Sequence, residues 1–66
     1  EDLDVSLAVL KLPRKMREAI LLYYYQDMST EEIAETLGIA QSSVSNRLRR
    51  GREKLRKLLE GRDQDA

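Results

Sequence analysis

The sequence predicts an all-α fold, in which residues 1–66 form one small domain of about four helices. Apolar residues recur three and four positions apart along most of the chain, and no stretch alternates as a strand would. Pro13, Ser29 and Gly38 interrupt this pattern at points typical of helix ends. A chain this short buries only about 60% of its unfolded surface, so we expect modest stability.

The first helix is predicted over residues 3–10. It begins with acidic residues, which suit the positive end of the helix dipole. Leu3, Leu7 and Leu10 then share one face at the i, i+4, i+7 spacing. We expect that leucine face to be buried against the rest of the domain.

The second helix is predicted over residues 13–25. Pro13 disfavours helix at the residue before it, but its fixed φ suits the first position of a new helix. The buried stripe is expected to contain Met16, Ala19, Ile20, Leu21 and Tyr24. Three consecutive tyrosines end this helix, and because they cannot all point one way, we expect one ring in the core and the others at the surface.

Residues 29–52 carry the pattern of a short helix (30–37), a tight turn and a longer basic helix (41–59). Ser29 and Glu32 have the spacing of a capping box, which satisfies free amides at a helix start. Gly38 can adopt the left-handed conformation that ends a helix. This order of elements is typical of a helix-turn-helix, whose second helix enters the DNA major groove.

The longer helix has two different faces. Its apolar stripe, which we expect to face the core, consists of Val44, Leu48, Gly51, Leu55, Leu58 and Leu59. The opposite side carries Ser42, Asn46 and Arg49, and arginine and asparagine side chains suit bidentate contacts to guanine and adenine. The simpler interpretation is a solvated basic face, but the single sign of the charge, the turn length and the capped first helix all favour DNA binding.

The charge is unevenly distributed although its sum is zero, with 12 basic and 12 acidic residues. Residues 41–62 contain eight lysines and arginines against two glutamates, whereas residues 26–40 contain four acids and no base. Because the local field rather than the net charge attracts phosphate, this basic segment remains compatible with nucleic-acid binding.

Several kinds of chemistry are not expected. The chain has no cysteine and no histidine, which argues against disulfides, a structural zinc site, any other metal site and histidine-assisted nucleophilic catalysis. We therefore predict no enzymatic activity, no catalytic residue, no cofactor and no small-molecule substrate. No apolar run approaches the roughly 20 residues of a membrane span, and no signal peptide is evident. We expect a cytoplasmic protein without membrane contact.

Several motifs together resemble a known family. They are Leu12-Pro13, Arg17-Glu18, Glu31-Glu32-Ile33-Ala34, Leu37-Gly38-Ile39, Val44, Arg47-Leu48 and Arg50-Gly51-Arg52. This combination resembles region 4 of bacterial RNA polymerase sigma factors, and most closely the extracytoplasmic-function (ECF) type, over about residues 10–59. The resemblance implies a helix-turn-helix domain of the winged-helix-like, sigma region 4 type.

The resemblance also implies a function and its residues. Region 4 of that family binds double-stranded promoter DNA at the −35 element and docks on the β flap of RNA polymerase core, and in many ECF proteins an anti-sigma factor covers one or both surfaces. The base-contacting residues implied here are Gln41, Ser42, Ser45, Asn46 and Arg49. The implied phosphate contacts are Ser29, Thr30, Arg47, Arg50 and Arg52.

Departures from the family pattern lie beside these positions. Ser42-Ser43 replaces a frequent Gly-Thr, Ser45 a frequent Lys, and Ala40 a frequent Ser or Pro that would cap the second helix. Because of these departures, the resemblance does not predict which DNA sequence the domain prefers. Two alternatives also remain open: a LuxR-type response-regulator output domain, disfavoured by the absence of histidine, and a helical protein-interaction module without specific DNA binding.

Overall fold

The computed structural model describes the backbone of residues 2–65 and the side chains of residues 4–60. Within that range the chain is helical without any strand, which confirms the all-α fold class. The helices are α1 (Asp2–Leu10), α2 (Arg14–Ile20), α3 (Thr30–Leu37) and α4 (Gln41–Asp65), and a π-helical segment (Leu21–Tyr25) directly continues α2. The three shorter helices all pack on α4, which is therefore the spine of the domain.

The core lies between α4 and the other helices. Its buried side chains are Val9, Leu12, Ala19, Ile20, Ile33, Ala34, Val44 and Leu48. Ile39, in the turn between α3 and α4, is half-buried and packs against this cluster, so it fills the corner between the two helices. At Gly51 α4 comes so close to α2 that an added Cβ would lie 3.0 Å from Ile20 Cγ1. A larger residue at this position would therefore displace Ile20.

The predicted buried face of α1 is wrong. Leu7 and Leu10 are 47% and 61% exposed, and the buried residues are instead Ala8 and Val9. Leu3 lies outside the residues whose side chains are described. The reason for the error is that apolar residues occupy both faces of this helix, so spacing alone could not select the face that docks.

The predicted burial of one tyrosine is also wrong, because the rings of Tyr23, Tyr24 and Tyr25 are all exposed. In the π-helical segment the Gln26 amide donates to the Leu21 carbonyl at 3.2 Å, so this hydrogen bond spans five residues instead of four. The wider turn shifts the helical register, and Tyr24 is rotated off the stripe that begins with Met16 and Ile20. The domain thereby presents aromatic surface beside α4.

The start and end of α3 follow the expected local chemistry. Ser29 Oγ accepts from the Glu32 amide at 3.1 Å, and Glu32 Oε1 accepts from the Ser29 amide at 2.8 Å, which completes the capping box. Gly38 ends the helix with φ of 70°, in the left-handed region. Asp27, before the cap, also adopts a positive φ of 56°.

We expect Ser29→Ala to lower the free energy of unfolding by about 1 kcal/mol, because it removes the side-chain acceptor of the capping box. Urea denaturation followed by circular dichroism measures this loss. Ser45→Ala is the control, since this serine is exposed within α4 and alanine is well tolerated in helices. Equal stability of the two variants would contradict the importance of the cap.

The far end of α4 differs from the prediction in two ways. Its backbone continues as helix to Asp65 rather than ending at residue 59. Leu58, predicted to face the core, is exposed, whereas Leu59 is half-buried. The apolar stripe of α4 is thus less completely covered at Leu58 than at Val44 and Leu48.

Candidate nucleic-acid interface

One face of the first three turns of α4 is open to solvent. Val44 and Leu48 are buried in the core and fix the rotation of the helix about its axis. The five base-contacting candidates, which are all exposed, are Gln41, Ser42, Ser45, Asn46 and Arg49. A helix that exposes polar side chains and one arginine in its first three turns has the shape and chemistry that fit a major groove.

Two of these residues are joined in the free domain. Arg49 Nη2 donates to Asn46 Oδ1 at 2.7 Å, and Arg49 Nη1 lies 3.8 Å from Glu53 Oε2. Asn46, Arg49 and Glu53 are three and four residues apart, so they form a line along the exposed side of α4. The guanidinium is therefore hydrogen-bonded to an amide and lies within ion-pair range of a carboxylate.

The beginnings of α3 and α4 are connected directly. Gln41 Nε2 donates to Thr30 Oγ1 at 2.7 Å, across a sequence separation of eleven residues. A base-contacting candidate is thus brought against a phosphate-contacting candidate. Ser29 precedes Thr30, but its hydroxyl and amide both take part in the capping box. Its hydroxyl oxygen accepts there, so its own hydrogen can still be donated outward.

The three arginines implied as phosphate contacts have different surroundings. Arg47 is half-buried, Arg50 is exposed, and Arg52 Nη1 donates to the Tyr24 hydroxyl at 3.0 Å. Arg52 therefore lies against the π-helical segment and not on the exposed side of α4 that carries Asn46 and Arg49. Its guanidinium lies at the edge of an apolar cleft of about 300 Å³, lined by Val5, Val9, Ile20, Tyr24, Tyr25, Arg52 and Leu55.

Two residues of this region were missed by sequence reasoning. Glu53 is not among the residues predicted to act in the site, although it extends the line of Asn46 and Arg49, and its i, i+4 spacing from Arg49 is visible in the sequence. Tyr24 had been predicted to be core, and its contact with Arg52 depends on the π-helical segment, for which the sequence carries no evident signal.

Other kinds of site are not found in the described part of the chain. No group of acidic residues there is arranged to hold a metal ion. None of its helices is both long and apolar enough to cross a membrane.

The fold and its exposed basic helix define a helix-turn-helix domain of the DNA-binding class. The family model described as "Sigma-70, region 4" matches residues 2–55, and the chain belongs to this family. The resemblance inferred from the sequence is thereby confirmed, and the alternatives of a LuxR-type domain or a pure interaction module are not favoured by the comparisons.

Curated relatives agree with this assignment. The chain is 47% identical over 57 residues to the RNA polymerase sigma factor SigZ of Bacillus subtilis. The match covers 86% of this chain and 32% of the relative. It is 49% identical over 55 residues to the ECF RNA polymerase sigma factor SigW of the same organism, a match that covers 83% of this chain and 29% of the relative. It is 39% identical over 66 residues to the RNA polymerase sigma-E factor of Streptomyces avermitilis, and that match covers 98% of this chain and 37% of the relative. The chain spans about a third of the length of these relatives.

Proposed function

We propose that this domain recognises the −35 element of promoters, with the start of α4 in the major groove. The observation that carries the proposal is the exposed face of α4, on which Ser42, Asn46 and Arg49 lie opposite the buried Val44 and Leu48. Gln41 and Ser45, the other two base-contacting candidates, are exposed beside this face. Membership of the sigma region 4 family supports the same role. The proposed role is binding without catalysis, cofactor or small-molecule substrate.

Phosphate contacts on both sides of the groove complete the proposed interface. Arg47 and Arg50 flank the exposed face of α4 and bear the charge that such contacts require. Thr30 begins α3, where free backbone amides and the helix dipole favour an anion. Ser29 and Arg52 belong to this proposed set as well, although each already has a partner in the free domain.

The proposal is tested by selecting duplexes from a random-sequence pool at several salt concentrations and sequencing those that are retained. We expect enrichment of one short motif, together with an affinity that falls steeply as salt rises. Starting at low salt, about 50 mM, makes weak binding by an isolated domain measurable. Salt-sensitive binding without an enriched motif would contradict base-specific recognition.

We further propose that the apolar cleft beside Arg52 binds the β flap of RNA polymerase. The relatives are named RNA polymerase sigma factors, which supports a polymerase partner. Tyr24, Tyr25 and Val5 expose apolar surface around this cleft, and exposed aromatic surface is typical of protein interfaces. None of the base-contacting candidates lines it, and Arg52 is the one proposed phosphate contact that does.

We expect Tyr25→Ala to weaken binding to an isolated flap fragment by about tenfold or more, because exposed tyrosines are frequent hot spots of binding energy. Leu10→Ala is the control, since Leu10 is exposed but does not line the cleft. Fluorescence anisotropy with a labelled flap fragment measures both affinities. Loss of binding in the Leu10 variant alone would contradict docking in the cleft and move the proposed surface to the side of α1 that carries Leu10.

Two further proposals concern an inhibitory partner and the location of the protein in the cell. An anti-sigma factor would inhibit this domain by covering either the exposed face of α4 or the apolar cleft. Because promoter DNA and RNA polymerase are the proposed partners, we propose that the domain acts in the cytoplasm.

A further inference from the structure

The helix α4 carries two ion pairs of the same kind. Arg49 Nη1 lies 3.8 Å from Glu53 Oε2, and Arg56 Nε lies 3.8 Å from Glu60 Oε2. Both pairs have i, i+4 spacing, and the side chains of Glu53 and Glu60 are 57% and 60% exposed. Exposed pairs of this type contribute little to stability, so their stabilising effects should be similarly small.

The two pairs differ in what surrounds the arginine. Arg49 Nη2 also donates to Asn46 Oδ1 at 2.7 Å, so its guanidinium is hydrogen-bonded to Asn46 and attracted at longer range by Glu53. A bidentate contact to guanine requires this planar group in a narrow range of orientations. Glu53 therefore stands where it can restrict the orientation of a proposed base-contacting side chain, whereas Glu60 lies two turns further along the helix.

The carboxylate of Glu53 has a second consequence. It lies next to the surface proposed to face DNA, where a negative charge repels phosphate. Indiscriminate backbone binding is thereby weakened for any DNA sequence. Because this repulsion acts on every sequence alike, it lowers total affinity without changing the ratio of specific to non-specific affinity, which Glu53 can raise only by orienting Arg49.

We propose that Glu53 is a specificity-determining positioning residue, which acts on the DNA sequence preference through Arg49. This inference rests on the proposed function, in which Arg49 contacts a base. Glu53 itself contacts no base in this account. Its role is to hold the guanidinium beside Asn46 before the domain meets DNA.

The test compares Glu53→Gln with Glu60→Gln, which remove the same charge from pairs of equal length. Affinities are measured for a duplex with the selected motif and for a scrambled duplex, over a range of salt concentrations. We expect both variants to bind the scrambled duplex somewhat more tightly than the parent. Only Glu53→Gln should lower the ratio of motif to scrambled affinity, by about two- to fivefold, the most that an exposed ion pair of this kind contributes.

A double variant tests whether the effect passes through Arg49. In the background of Arg49→Ala, Glu53→Gln should leave the specificity ratio unchanged, because the side chain that it orients is gone. A ratio that falls further in that background would mean that Glu53 contacts DNA itself, which overturns the proposal. Melting curves of all variants establish that they fold.

The remaining outcomes separate this inference from the proposed function. If the parent prefers its motif but Glu53→Gln keeps the parental ratio or raises it, the role of Glu53 is wrong and promoter recognition stands. If both glutamine variants lose the same specificity, a general charge effect replaces positioning. If the parent selects no motif, the proposed function fails, and the inference fails with it.

Discussion

Replacement of Ile33 with alanine is expected to lower the melting temperature of the domain by at least about 10 °C. Ile33 is fully buried in α3 and belongs to the cluster that includes Val44 and Leu48 of α4. Truncating a buried isoleucine costs about 2–5 kcal/mol, from lost burial and from the cavity that remains. A domain of this length has a total stability of only roughly 3–10 kcal/mol, so much of it would be lost.

Thermal unfolding followed by circular dichroism measures the effect. Leu10→Ala is the matched control, because it removes a similar aliphatic group from a position that is 61% exposed. Its change in stability should stay within about 0.5 kcal/mol, as for most surface substitutions. Similar melting temperatures for the two variants would contradict the packing of α3 against α4.

The second large effect is expected for Arg49→Ala, which should cost about 1–3 kcal/mol of binding to the selected motif and relax the preference at one base pair. Arg49 lies on the exposed face of α4 beside Asn46, where its guanidinium can reach a base edge. Because one base contact is lost, preferences at the other positions should be retained.

Arg47→Ala is the companion variant, on the same helix and with the same loss of charge. Arg47 is half-buried at the flank of α4, so we propose that it contacts phosphate. Its loss should weaken binding to all sequences alike and reduce the salt slope by about one. Repeating the duplex selection and the salt titration with both variants separates the two roles. Equal loss of specificity in both would refute the division between base and phosphate contacts.

Local chemistry accounts for what the sequence could predict. The capping box of Ser29 and Glu32, the left-handed Gly38 and the buried Val44 and Leu48 depend on residues within one or two helical turns. Such features are determined by residue type and spacing, so the helix-turn-helix and the exposed face of α4 were predictable.

The errors have a different origin. In α1 apolar residues lie on both faces, so only docking against α4 decides that Val9 is buried and Leu10 is exposed. The π-helical segment changes the register of the tyrosines, and Arg52 then meets Tyr24 across 28 residues of sequence. The hydrogen bond from Gln41 to Thr30 likewise depends on the geometry of the intervening turn. These contacts are tertiary, and periodicity within one helix does not encode them.

The central claim is that the start of α4 is the surface that meets DNA. The most direct measurement is a titration of the domain with the selected duplex, followed by the backbone amide signals in NMR spectra at low salt. We expect the largest changes at residues 41–50, with smaller ones at Ser29 and Thr30. Largest changes in α1 or around the apolar cleft, with residues 41–50 unaffected, would contradict the account.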